Sequence, residues 1–194
     1  GVHTLTNFIN TTDAYVSPVP DDRLSITGFG VLTGNVDENS TEIPVSTKAH
    51  FDKKENNWLH TVKIGKELIR YKSVTEMPPY KLLDCQRGAF KTKAAAHSAA
   101  DTVSKLYDHA YEVFFPNLQL QREIATNLAT FFNETGISHL DFDGHEGCLA
   151  SGQGDYALNL FAKDFYDHLD HEVLNGTSLS KTYYWHINTF CNWG

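Results

Sequence analysis

The chain has 194 residues, of which 41% are hydrophobic and 21% charged, a composition typical of a globular protein and inconsistent with disorder. Its net charge of −8 argues against nucleic acid or an anionic membrane as a partner, and no apolar run approaches the roughly eighteen residues of a membrane span. Three scattered cysteines exclude a disulfide-dense scaffold and a zinc knuckle.

The first hundred residues have a β pattern. Residues 1–6 are predicted to form a strand, and a loop rich in turn formers follows up to residue 23. From about Leu24 to Leu106, short β-branched runs alternate with turn signals, and Gly65-Lys66 predicts a tight hairpin.

From Tyr111 onward the pattern changes to α/β. Strands are predicted over residues 111–115, 137–143 and 182–188, separated by two helices. The first helix starts near Pro116-Asn117 and ends at Gly136, and Asp155 can cap the second. The predicted buried stripes are Leu120, Ile124, Leu128 and Phe131 in the first helix, and Leu158, Phe161, Phe165 and Leu169 in the second. This spacing predicts βα units with parallel strands.

The segment from Asp141 to Gly147 carries three carboxylates and a histidine where a buried strand gives way to a loop. Asp141 and Asp143 are two residues apart, so they project to the same face of an extended strand. Because burying an unpaired acid costs several kcal/mol, two acids on one face favour a functional site over a core strand. The alternative is a helix-capping acid and a surface ion pair.

Polar residues at three predicted strand ends are the candidates for a sugar-binding site. They are His3 on the first strand, Asp141, Asp143, His145 and Glu146 on the second, and Tyr184, His186 and Asn188 on the third. We predict Asp143 as catalytic nucleophile or base and Glu146 as acid or hydroxyl ligand, with the other six binding substrate. Asp141 has an alternative structural role, holding His3 or His186, and the aromatic residues have an alternative role in the core.

No metal or cofactor is predicted. The acid loop lacks a repeated His-x-x-x-His or an EF-loop pattern, so its ligand-like residues do not make a recognisable metal motif. The chain also has no Gly-x-Ser-x-Gly elbow and no dinucleotide-binding loop. Acid/base chemistry by carboxylates is the predicted mechanism.

Residues 41–106 contain a pattern similar to a small β-module of phage tail proteins and of some bacterial carbohydrate-active proteins. The pattern comprises Ile64-Gly65-x-Glu67 with Tyr71, then Cys85-x-Arg87-Gly88, and then Thr92 with His97. The chain departs from it at Lys91, where those relatives usually have glycine. The resemblance implies a separate inserted β-rich module, which we place at residues 24–106.

Residues 1–23 and 107–194 resemble part of the catalytic barrel of uncharacterised bacterial glycoside-hydrolase-like proteins. The motifs that carry the resemblance are residues 1–6, 131–136, 141–147 and 184–194. It implies an α/β fold, a partial (β/α)8 (TIM-type) barrel of about three βα units, with a doubly wound sheet as the alternative. A full barrel takes roughly 250 residues, so the chain is predicted to be a fragment that is inactive alone and associates into oligomers.

The resemblance implies glycoside hydrolysis of a polysaccharide or oligosaccharide, in the periplasm or outside the cell. The expected partners are the carbohydrate substrate and the remainder of the barrel. Two alternatives stay open: a non-catalytic glycan-binding or structural module like those of phage tails, and a polysaccharide lyase.

Overall fold

The computed structural model describes residues 2–5, 7–11, 22–145, 147–178, 183 and 185–191. Within these ranges the strands are β1 (Val2–Leu5), β2 (Ile9–Asn10), β3 (Ile26–Val31), β4 (Ile43–Pro44), β5 (Thr61–Ile64), β6 (Glu67–Arg70), β7 (Ser73–Val74), β8 (Lys81–Leu83), β9 (Thr102–Leu106), β10 (Asp108–His109), β11 (Val113–Phe114), β12 (His139–Asp143), β13 (Leu174–Thr177) and β14 (Asn188–Cys191). The helices are α1 (Leu118–Thr135) and α2 (Gly154–Tyr166). Neither described helix combines the length and apolarity needed to cross a membrane.

The chain divides into two compact units. Residues 1–8 and 115–194 form the first, which we call the helical unit, and residues 9–114 form the second, the β unit. The assignment of residues 24–106 to a separate inserted module, and of 1–23 and 107–194 to one domain, stays a prediction.

The predicted partial (β/α)8 barrel is wrong. Three of the four sheets formed by the described strands are small and antiparallel, and the described chain has two α-helices, so the repeated βα pattern of a barrel is missing. One sheet, in the helical unit, is parallel, with strand order β1-β12-β13-β14. The α/β pattern read from the sequence applies to this sheet alone, and the rest of the chain follows antiparallel β pairing.

Both helices of the helical unit pack on one face of the parallel sheet. Leu140 and Phe142 of β12 join a single apolar cluster with residues of α1 and α2. The Phe142 ring makes edge contacts with Phe161 and Phe165, at centroid distances of 5.7 and 5.2 Å. A doubly wound sheet has helices on both faces, so this alternative does not describe the unit either.

The predicted helix ends in α1 are confirmed, but its buried stripe is partly wrong. The Asn117 side chain caps the start by accepting a hydrogen bond from the Leu120 amide, and Gly136 ends the helix in the left-handed region with φ +63°. Phe131 is 46% exposed, whereas Phe132 is fully buried against Phe165. The buried face instead runs through Gln121, Ala125, Ala129 and Phe132, one residue further along the helix than the predicted stripe.

One predicted parallel strand, residues 111–115, is wrong, and the one predicted at 182–188 is displaced, since the parallel strand β14 starts only at Asn188. Residues 111–115 contain only β11, which pairs antiparallel with β2 and β10 inside the β unit. Of residues 182–188, those from 185 to 187 form a turn and β14 starts at Asn188, whereas 182 and 184 lie outside the described residues. Besides β1, strand β12 pairs with β13, a strand that the sequence patterns did not predict.

The β unit holds two apolar clusters and the predicted hairpin. Strands β5 and β6 pair with Ile64 opposite Glu67, and Gly65 makes the turn with φ +58°. The larger cluster surrounds fully buried residues of β4, β5 and β8, including Ile43, Val62 and Leu82. The hairpin prediction at Gly65-Lys66 is therefore confirmed.

A buried carboxylate connects the residues of the sequence pattern in the β unit. The Glu67 carboxylate accepts hydrogen bonds from Nε and Nη2 of Arg87 at 2.9 and 2.8 Å and from the Gly88 amide at 2.8 Å. It also accepts from the Ala95 amide at 3.2 Å, and Nε2 of His97 lies 2.7 Å from Oε2. The side chains of Glu67 and Arg87 are 1% and 6% exposed. Glu67 thus holds three segments of the unit together.

Two positions in the turn that follows Arg87 have left-handed backbone conformations, Gly88 and Lys91. Gly88 has φ +58°, and a Cβ there would lie 2.9 Å from the Thr92 carbonyl oxygen, so glycine is required. Lys91 has φ +64°, a left-handed conformation that glycine adopts without strain. The turn therefore keeps its glycine-like backbone although lysine occupies the position.

Candidate functional site

Strand β12 places two carboxylates on the face of the parallel sheet opposite the helices. Leu140 and Phe142 are buried in the helix-facing core, whereas Asp141 and Asp143 alternate with them and are partly exposed. This alternation is the two-residue side-chain period of a strand. The predicted shared face of the two acids is therefore present, with Asp143 as the last residue of the strand.

The sheet register gives the backbone neighbours of these acids on both sides. In the sheet register His3 of β1 is level with Asp141, and Leu5 is level with Asp143. On the other side Gly176 of β13 is level with Asp141 and adds no side chain there. The backbone of His3 thus lies beside that of Asp141, and the shared site stays a prediction.

His145 lies in the core on the side of the sheet that faces the helices. It is 2% exposed and its ring contacts the rings of Phe142 and Phe161 at 5.2 and 6.3 Å. Burial lowers the pKa of His145 to about 4, and a backbone interaction with Leu158 only partly opposes this shift. The imidazole is therefore neutral at pH 7 and lies in the core, and its predicted role in substrate binding stays a prediction.

The end of β13 supplies two residues that the sequence reasoning missed. Oγ1 of Thr177 lies 3.1 Å from Nδ1 of His145, and the hydroxyl of Ser178 accepts a hydrogen bond from the His145 amide at 3.0 Å. The Ser178 amide in turn donates to the Phe142 carbonyl at 3.0 Å. These bonds hold the loop that follows Asp143. The sequence feature that could have indicated these two residues is the run of small polar residues at 175–178.

The third predicted set does not join the acids. Asn188 starts β14 level with Asn175, which is level with Leu140, so it lies three residues, roughly 10 Å, before Asp143 along the strand direction. His186 is exposed in the preceding turn, where its ring contacts Trp185 at 5.9 Å. The predicted sites at Tyr184 and Glu146 lie outside the described residues.

The described residues offer carboxylate and imidazole chemistry. Among them, no group of three histidine, cysteine, aspartate or glutamate side chains is placed to hold a metal ion. Burial raises the pKa of the Cys85 thiol to about 12, which makes it a poor nucleophile.

His171 at the amino end of the sheet makes stability depend on pH. Its ring nitrogens lie 2.8 Å from the Ile137 carbonyl and 2.8 Å from the Asp170 carboxylate, and these acceptors raise its pKa. The stabilisation is complete below the ordinary histidine pKa of about 6.5 and is lost as pH rises through the higher folded-state pKa. Unfolding midpoints of the wild type and His171→Gln should therefore differ most near pH 6 and converge towards alkaline pH. A difference in unfolding midpoint that stays constant over this pH range would contradict the raised pKa of His171.

Comparison of the whole chain with protein families, with curated proteins and with solved structures finds no match. The resemblances to the β-module and to glycoside-hydrolase-like proteins therefore stay predictions.

Proposed function

We propose that the chain is part of a carbohydrate-active enzyme that hydrolyses glycosidic bonds, with Asp143 as a catalytic carboxylate. The observation that carries the proposal is the pair Asp141 and Asp143 on the face of a parallel sheet opposite the helices, with Asp143 at the carboxyl end of its strand. Such strand ends are common positions for catalytic acids, because the following loop frees space for a substrate.

The proposed chemistry needs a carboxylate beside the anomeric carbon and a proton for the leaving oxygen. Asp143 acts as nucleophile or base, and Glu146, three residues further on, acts as acid or hydroxyl ligand. Asp141 orients a neighbour, since it lies level with His3 inside the sheet. His145 contributes by holding the loop between the two proposed catalytic residues through Thr177 and Ser178.

Two other functions would use the same surface differently. A polysaccharide lyase would remove a proton next to a uronate carboxyl group and leave an unsaturated sugar. A non-catalytic module would only hold the glycan. The position of Asp143 at the carboxyl end of its strand favours an enzyme, because a strand end followed by a loop is a common place for a catalytic acid.

The test measures the products of glycan cleavage. The natural polypeptide that contains these residues is incubated with neutral and acidic polysaccharides, and new reducing ends and unsaturated uronate are quantified. Hydrolysis is expected to release reducing ends without unsaturated sugar. Unsaturated ends would assign a lyase, and binding without any new ends on any polysaccharide would assign a non-catalytic module.

A further inference from the structure

A shallow concavity of about 310 Å³ opens in the β unit, lined by Trp58, His60, Arg70, Tyr71 and Lys72, and we call it the Trp58 concavity. Trp58 is 63% exposed, an unusual position for the largest apolar side chain. Two cations and an imidazole share this surface, although the whole chain carries a net charge of −8. An exposed indole next to clustered cations is a typical composition of a binding surface.

A buried ion pair fixes the backbone that carries the indole. The Asp108 carboxylate accepts hydrogen bonds from the amides of Trp58 and Leu59 at 2.8 and 2.9 Å. Nζ of Lys105 lies 3.6 Å from the same carboxylate, and the two side chains are 1% and 0% exposed. Since both amides bind one buried group, the segment that presents Trp58 is held in place before any ligand arrives.

The floor of the concavity is equally well ordered. The His60 ring stacks on the Tyr71 ring at 5.4 Å with an interplanar angle of 27°, and the Tyr71 hydroxyl donates to the Phe51 carbonyl at 2.8 Å. His60 has φ +46°, a left-handed conformation that a residue with a Cβ adopts at a cost of about 1 kcal/mol or more. Retained strain of this kind is common at ligand-binding positions.

The cations lie at the rim. Nε of Arg70 donates to the Leu59 carbonyl at 3.2 Å, and its guanidinium lies 5.8 Å from the centre of the Phe90 ring, which fixes its orientation. Lys72 is 3.9 Å from Asp84, but both side chains are more than 70% exposed, so this pair is weak and exchanges readily with another anion.

We propose that the Trp58 concavity binds an acidic saccharide, with a sugar ring on Trp58 and its carboxylate between Arg70 and Lys72. The indole face matches the C–H face of a pyranose, and the guanidinium and ammonium groups match a carboxylate. Two cations are enough to bind the single carboxylate of one acidic sugar unit. Binding of a nucleic acid needs a long row of basic residues along the phosphate backbone. The open shape admits an internal unit of a longer chain. This site is independent of the catalytic role proposed for Asp143.

The test measures binding of tetragalacturonate by calorimetry to the full 194-residue protein, with a neutral galactose tetramer as the comparison ligand. We expect the acidic tetramer to bind roughly tenfold more tightly, and Trp58→Ala to weaken binding by about fivefold to tenfold. Replacing Arg70 would also remove its hydrogen bond to the Leu59 carbonyl. Lys72→Gln therefore tests the contribution of positive charge to binding and leaves that hydrogen bond in place. Affinity should also fall as salt rises.

Matched controls are Trp185→Ala, which removes an equally exposed indole in the helical unit, and Lys66→Gln, which removes an exposed lysine in the β unit. Both should bind within about twofold of wild type. The readout is binding at the β unit and not glycan turnover, so failure of the catalytic proposal leaves this result intact. No binding of tetragalacturonate, equal binding of the neutral tetramer, or unchanged binding by Trp58→Ala would each overturn the proposal.

Discussion

Replacing Asp143 by asparagine is expected to lower glycan turnover by several orders of magnitude while sugar binding survives. The amide has nearly the same shape as the carboxylate but cannot act as nucleophile or base. Removing a catalytic carboxylate therefore takes away transition-state stabilisation and leaves ground-state contacts. The measurement is kcat and substrate affinity of the natural polypeptide on a substrate that it degrades.

Two further variants sharpen this test. Asp141→Asn should reduce turnover less and stability more, since Asp141 lies inside the sheet between His3 and Gly176. Asp155→Asn removes an exposed acid from the first turn of α2 and should leave turnover unchanged. Full activity of Asp143→Asn would exclude the proposed role, and equal losses in the Asp141 and Asp143 variants would show that the two acids act together.

Replacing Glu67 by glutamine is expected to lower the free energy of unfolding of the β unit by about 3 kcal/mol or more. The carboxylate accepts from Arg87, from the amides of Gly88 and Ala95, and faces Nε2 of His97. Glutamine would turn one acceptor into a donor among these donors and leave a buried guanidinium without its counter-charge. Urea-induced unfolding measures the loss.

Glu42→Gln is the matched control, because Glu42 lies 2.8 Å from Lys81 but both side chains are about half exposed. It should cost less than about 1 kcal/mol. Equal losses of unfolding free energy in the two variants would contradict the proposed stabilisation by the buried Glu67 carboxylate.

The contribution of Glu67 should also depend on pH. Burial alone would raise the pKa of Glu67, but Arg87, the Gly88 amide, His97 and the Ala95 amide together hold it below its ordinary value. The stabilisation is therefore complete above the ordinary glutamate pKa of about 4.3 and is lost as pH falls through the lower folded-state pKa. The stability difference between wild type and Glu67→Gln should shrink in strong acid, and a difference that grows there would have the wrong sign.

Local signals in the sequence were sufficient for features that depend on neighbouring residues. The cap at Asn117, the stop at Gly136 and the turn at Gly65 each follow from the conformational or hydrogen-bonding preference of one residue. The shared face of Asp141 and Asp143 follows from the period of an extended strand, which holds in any sheet. These features could be predicted because no distant residue changes them.

The tertiary structure alone decided which segments pair. Asn175-Gly176 reads as a turn signal, yet it lies inside β13 because pairing with β12 and β14 satisfies its backbone. The strand at 113–114 turned out antiparallel, since pairing direction depends on its partners β2 and β10 and not on its own residues. The barrel prediction failed for the same reason: it extended a local βα pattern to strands whose partners lie far away in sequence. The contacts of Glu67 and the burial of His145 likewise involve residues about 20 to 30 positions away, so only the folded chain brings them together.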